Sequence, residues 1–150
     1  MGRVLMRRKP YKDQVEQLLV MHGYPEMRNA EPFIRYRAVW LFRQFSYLEY
    51  KNKDHLYMGL ESTLLLLMEP SEQLPVRVEA ALTLNEVLDN QKAAEDFLRP
   101  HAISILRVTL ELVHLTNYEE LSEVLQTFVV EFPEEVYRIK QTASENILLN

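Results

Sequence analysis

Cysteine is absent from the 150 residues, which excludes disulfides, thiolate metal sites and a cysteine nucleophile, and fits a reducing compartment better than secretion. Long apolar runs are missing too. The strongest, "LLLLM" at Leu64 to Met68, is far short of the roughly 20 residues a membrane-spanning helix needs. The formal net charge of -5 disfavours nucleic acid as a partner, because phosphate-binding domains have basic surfaces. Basic residues do gather at Arg3, Arg7, Arg8, Lys9 and Lys12. That stretch has neither an apolar h-region nor a small-residue cleavage site, so it is not a signal peptide; residues 1–10 read as a basic tail or an expression remnant. Catalytic patterns are also lacking: no HExxH, GxSxG, GxGxxG or P-loop motif occurs. His22, His55, His101 and His114 lie in different segments. The one ExxH, Glu111 to His114, lacks the second copy and extra glutamates of a di-iron bundle. The expectation is a protein that is not an enzyme, with no catalytic residue, no metal and no cofactor.

Glycine is scarce, with three residues, and most of the seven prolines fall between periodic segments, so long helices joined by short turns are expected. The first is read over about Tyr11 to Met21, with Val15, Leu18 and Leu19 apolar and "HGYPEM" as its closing turn. The second runs from Pro32 to about Leu48. A third spans about Asp54 to Met68 with Leu56, Leu60, Leu64 and Leu67 on one stripe. Pro75 then fits the first turn of a fourth, where its missing N–H costs nothing. "NQKAAEDFLRP" reads as a short helix before a bend at Pro100. His101 to Leu115 follows, with a stripe of Ile103, Leu106, Leu110 and Val113. Asn117 and Glu120 resemble a capping box for a helix carrying Leu121, Val124, Leu125, Phe128 and Phe132. A last helix is expected over about Glu134 to Leu149.

Two of these helices share a register. Ile34, Ala38, Phe42 and Phe45 in "PFIRYRAVWLFRQF" return 42 residues later as Val76, Ala80, Leu84 and Val87 in "LPVRVEAALTLNEVL", and Arg35 returns as Arg77. A third copy follows at a shift of 44. A period near 42 lies in the range of HEAT and armadillo units, so the fold class expected is all-α: a right-handed HEAT-repeat solenoid of three to four helix pairs. Its pairs would be 11–48, 54–88 and 91–132, the last with an extra short helix, and 134–149 would be the outer helix of an incomplete fourth. A nonrepetitive helical bundle is the alternative. In such a stack small residues sit where backbones approach, a demand that Ala38, Ala80 and Ala81 meet. Trp40, Phe42 and Phe45 read as core by spacing. Arg35 and Arg77 oppose the dipole at their helix starts and need a carboxylate or carbonyl, which an adjoining repeat could supply; the other reading is a pair of hooks for an anionic ligand.

The stretches "YKDQVEQLL", "RYRAVWLFRQF", "PVRVEAALTLNEVLDNQKAAEDFLRP" and "YEELSEVLQTFVVEFPEEV" resemble, in that order, an importin-β-type nuclear transport receptor, most like the importin seven and importin eight subfamily. The connector "HGYPEMRNAEPF" departs from it, and the chain matches a fragment of such a superhelix. The resemblance implies cargo proteins bound by inner helices, nucleoporin phenylalanine-glycine repeats bound between outer helices, and release by Ran with GTP, whose principal site lies elsewhere. It also implies residence in both cytoplasm and nucleus, and an inter-repeat ladder through Arg35 and Arg77. The candidate cargo-facing residues are Arg37, Leu41, Gln44, Glu79, Thr83, Glu86, Glu123 and Thr127. Their acidic bias suits basic cargo such as histones or ribosomal proteins, with no direct nucleic-acid or membrane contact. A HEAT-repeat scaffold of a phosphatase or chromatin assembly shares the same repeat physics. On this assignment Glu79→Lys is expected to leave folding intact.

Overall fold

The computed structural model describes the backbone of residues 9–149 and the side chains of residues 14–145. Helix α1 covers Lys9–Leu18, then widens to a π-turn at Leu19–Gly23 and tightens to a 3-10 segment at Tyr24–Arg28. The expected turn "HGYPEM" is thus a helical continuation. Its cause is burial: Tyr24 and Met27 are inside, and the Tyr24 ring meets Phe42 edge-on at 5.3 Å. Of the apolar residues Val15, Leu18 and Leu19, the first and last are buried and Leu18 is exposed.

Helix α2 spans Pro32–Gln44, shorter than the sequence suggested. Phe45 to Tyr47 turn away, and their backbone is held from outside: the Gln91 amide donates to Ser46 O at 2.6 Å and Leu48 O at 2.7 Å. Helix α3 covers Lys53–Met68, with Asn52 accepting from the Asp54 N–H as its cap. Leu56, Leu60, Leu64 and Leu67 are all buried. Helix α4 covers Leu74–Asn90 with Pro75 in its first turn. The short α5, Ala94–Leu98, leads through a 3-10 turn at Arg99–His101 into α6, Ala102–Thr116. Helices α7, Glu120–Glu131, and α8, Pro133–Leu149, complete the order.

The packing has two layers. Helices α2, α4 and α7 follow one another in the inner layer, while the α1 extension, α3 and α6 follow in the outer one, and α8 lies against α6 and α7. This is an all-α HEAT-repeat arrangement, with no strand among the described residues. Helix α4 occupies the middle, touching α2, α3, α6 and α7. Val76, Val78, Leu84, Val87 and Leu88 are accordingly buried, with Ala80 and Ala81 fully so. Each large apolar side chain contributes roughly 1.5–3 kcal/mol by burial.

The later part of the chain differs from the periodic reading in two places. The buried stripe of α6 is Ala102, Ile105, Thr109 and Leu112, one position from the expected Ile103, Leu106, Leu110 and Val113. Ile103, Leu106 and Leu110 instead line an open, mostly apolar hollow beside α7 and α8, where they face Leu125, Val136 and Ile139, while Val113 packs partly buried against the core. Asn117 is the C-cap of α6 with φ of 58°, a left-handed conformation that asparagine tolerates better than most residues. Its left-handed backbone therefore ends one helix, and the cap residue of α7 is Glu119, whose side chain makes no capping bond.

Candidate functional site

The polar residues of the inner layer concentrate at the α2–α4 seam. At its start, Arg35 on α2 makes a two-point pair with Glu72 in the turn between α3 and α4, Nε to Oε2 and Nη2 to Oε1, both at 2.7 Å. The same guanidinium donates to the Asn29 and Ala30 carbonyls. Burial pushes the Glu72 carboxyl up, but the Arg35 bond and the Gln73 N–H pull it down further, leaving it below the usual carboxylate range. Arg35 therefore joins one helix pair to the next.

Arg77 does something different. Its Nε donates to Leu67 O at 2.9 Å, a bond to the last turn of α3. It closes the end of the outer helix in its own pair, and its charge also helps to lower the Glu72 carboxyl that Arg35 binds. The reason is the short turn between α3 and α4, which brings the orphan carbonyls of α3 beside the α4 start.

Midway along the seam, Arg43 Nε lies 2.8 Å from Glu79 Oε1, and Arg43 Nη2 is 3.3 Å from Glu79 Oε2. Glu86 stands 3.9 Å from Arg43 Nη1. Burial raises the Glu79 carboxyl above its ordinary value, more than Arg43 lowers it. Thr83 is fully buried beside Val39 O at 3.5 Å. Asn90 donates to Ser46 Oγ at 3.0 Å at the far end.

These contacts correct the candidate cargo face. Glu79, 3% exposed, and Thr83, fully buried, are seam residues with no surface to offer. A charge reversal at Glu79 would set a lysine against Arg43, so the expected tolerance of Glu79→Lys is withdrawn. Arg37, Gln44 and Glu123 are exposed, while Leu41, Glu86 and Thr127 are half-buried.

The ridge that does reach solvent runs one step around the same helices. On α2 and just beyond it are Trp40 and Tyr47; 42 residues later come Leu82 and Asp89, with Glu86 between them. Trp40, read from sequence as core, is half-buried, with the Arg37 guanidinium 5.5 Å from its ring. Asp89 escaped the sequence reading. Its signal was the register itself, since it sits one helical turn after Glu86 in line with exposed Tyr47.

A second polar site also went unread. Glu16 on α1 is 6% exposed and accepts from the Lys51 N–H at 2.6 Å, while its other oxygen is 2.9 Å from His55 Nδ1. It anchors α1 to the start of α3. Among the described residues no group of three or more histidines and carboxylates gathers into a metal-binding cluster.

The chain is 29% identical over 147 residues, 98% of its length, to importin-8 of Homo sapiens. It is 31% identical over 127 residues, 84% of its length, to a probable importin-7 homolog of Dictyostelium discoideum. With an importin beta-like SAD2 homolog of Arabidopsis thaliana it shares 26% over 132 residues, 88% of its length. The chain spans only 14% of the length of the first of these and 12% of the other two. No family model and no solved structure matches it.

Proposed function

From the premise that this chain is an importin-β-type segment, we propose that it forms part of a nuclear transport receptor and offers its inner-layer ridge to cargo proteins. The observation that carries this reading is the similarity to human importin-8 across 98% of the chain. Cargo would meet Trp40, Tyr47 and Leu82 as the apolar and aromatic part of the ridge, with Glu86, Asp89 and Glu123 as its acidic part. Aromatic anchors supply contact area, and the carboxylates supply attraction and register toward lysine- and arginine-rich chains. Histones and ribosomal proteins have that chemistry. In the same proposal nucleoporin phenylalanine-glycine repeats engage the outer layer, and Ran with GTP releases cargo from a principal site outside this segment. The receptor would work in both cytoplasm and nucleus.

The test is affinity for a lysine-rich histone-tail peptide, measured by fluorescence anisotropy at low and high salt. The triple variant Glu86→Lys, Asp89→Lys, Glu123→Lys is expected to bind roughly tenfold to a hundredfold more weakly, since each rim charge contributes up to about 1 kcal/mol. Binding by the unaltered chain should weaken with salt. Equal affinity of the two proteins at low salt would remove the ridge as a cargo site.

A further inference from the structure

We propose that the side of α4 turned away from α2 is a slip plane. Helices α1 to α4 form one body, and the α6–α7 pair swings against it between the splayed arrangement described above and a closed one that brings Glu123 to Asn85. This goes beyond the cargo reading and stands on the two seams of α4 alone.

Directional bonds hold the first seam. Arg35 with Glu72, Arg43 with Glu79, and Asn90 and Gln91 with Ser46 tie α2 to α4 at its start, middle and end. Such bonds fix a register because they weaken steeply away from their preferred geometry. The other side of α4 is held differently. Asn85 lies about 200° around the helix from Thr83, and no hydrogen bond or ion pair joins α4 to α6 or α7 among the described residues. Two polar atoms on this side are buried without a partner: Asn85 Oδ1 on α4, and Thr109 Oγ1 on the buried stripe of α6. Apolar contact is non-directional, so helices that meet through it can slide without breaking a bond.

The repeat register measures how far the second seam is from closed. At the shift of 44 residues that relates α4 to α7, Glu79, Thr83 and Glu86 correspond to Glu123, Thr127 and Val130. On α4 these positions turn toward α2, and Glu79 and Thr83 are buried. On α7 they lie open: Glu123 is exposed, Thr127 half-buried and Val130 72% exposed. Arg43, the partner of Glu79, corresponds at 42 residues to Asn85. A swing that gave α7 the place on α4 that α4 has on α2 would set Glu123 against Asn85 and cover Val130. Thr127 would then meet Ala81 O, as Thr83 meets Val39 O. Covering Val130 favours closure, whereas taking Glu123 out of water beside a neutral amide opposes it. The second seam is therefore balanced where the first is locked. Closure would withdraw Glu123 from the ridge and leave Glu86 and Asp89 in place.

The chain has no cysteine, so spin labels can be attached at introduced cysteines alone. Gln44, Glu61 and Gln126 are exposed and lie on α2, α3 and α7. Electron–electron double resonance on Gln44→Cys, Gln126→Cys spans the slip plane, across two interhelix spacings or roughly 16–20 Å. Gln44→Cys, Glu61→Cys lies within the first body and serves as the reference. The expected result is one narrow distance for the reference and a broad or two-peaked distribution across the plane. Asn85→Arg copies the Arg43–Glu79 pair onto the second seam and should narrow that distribution to its shorter part; adding Glu123→Gln should undo the narrowing. Glu123→Leu, which removes the cost of burying a charge, should by itself shift the distribution to shorter distances. A distribution across the plane as narrow as the reference overturns the proposal, whatever the variants do. So does narrowing by Asn85→Arg that persists with Glu123→Gln, or a distribution that Glu123→Leu leaves unmoved.

Discussion

Removing the Arg43 guanidinium should destabilise the chain more than removing the Glu79 carboxylate. The two are 2.8 Å apart, but their surroundings differ: the Glu79 side chain is 4% exposed, whereas Arg43 is 25% exposed and lies 3.9 Å from Glu86. In Glu79→Ala the arginine can turn to water or Glu86. In Arg43→Ala the carboxylate stays buried without a counter-charge, a state that costs about 3 kcal/mol at neutral pH, the low end for broken buried pairs. With a urea m-value of about 2 kcal/mol/M, the unfolding midpoint followed by far-UV circular dichroism should fall by about 1.5 M. The pH trend separates this cause from lost packing. Burial already holds the Glu79 carboxyl above its ordinary value, and without Arg43 it rises further. An acid whose native value exceeds its unfolded value binds more protons when folded, so stability falls as pH rises through that interval. The Arg43→Ala deficit should therefore be largest at neutral pH and shrink on acidification. The double variant Arg43→Met, Glu79→Met should lie within about 1 kcal/mol of the unaltered chain. A deficit below about 0.5 kcal/mol, the scale of an exposed pair, or one that widens on acidification would refute the argument.

Gly59→Ala should lower the melting temperature even though alanine is the better helix former by about 1 kcal/mol. A Cβ there would lie 2.7 Å from Phe42 Cζ and 2.8 Å from the Tyr24 ring, an overpacking whose cost of about 1–3 kcal/mol outweighs the propensity; a raised melting temperature would contradict it. Glu72→Ala should cost about 2 kcal/mol at neutral pH by removing both charge-assisted bonds to Arg35. Because the Glu72 carboxyl is held below its ordinary value, its contribution is present above the unfolded value and is lost as pH falls through the native one. Urea titrations at several pH values should show the two proteins converging in acid.

Much of the helical frame was legible because spacing and burial agree. Leu56, Leu60, Leu64 and Leu67 repeat at helical intervals, and the middle helix carries Val76, Ala80, Leu84 and Val87 in the same way; all are buried. The reading of α6 slipped by one residue because its apolar set is wide. Both Ile103 and Ile105 suit a core, and only the position of α4 selects the stripe containing Ile105 and Leu112. The π-turn after α1 was not legible, since "HGYPEM" has turn composition and becomes helical through the burial of Tyr24 and Met27.

The candidate site shows the same division. Sequence correctly singled out Arg35 as needing a partner, because a cation at a helix start is unfavourable alone. It could not name Glu72, which is 37 residues away. Nor could it separate Glu79 from Glu86 or Asp89, since an acid on a helix reads alike whether it faces water or a neighbouring arginine.

What the sequence determined alone was the repeat: its 42-residue period, the helices that carry it, and the small residues that let them approach. These follow from local spacing, which a helix turns directly into faces. Tertiary structure decided which of those faces are interior. With α2 in place Glu79 and Thr83 are covered, and their counterparts Arg37 and Leu41 keep an open side where α2 has no inner-layer neighbour of its own among the described residues. Burial is a property of the neighbour as much as of the residue, and a neighbour is chosen by packing across the chain.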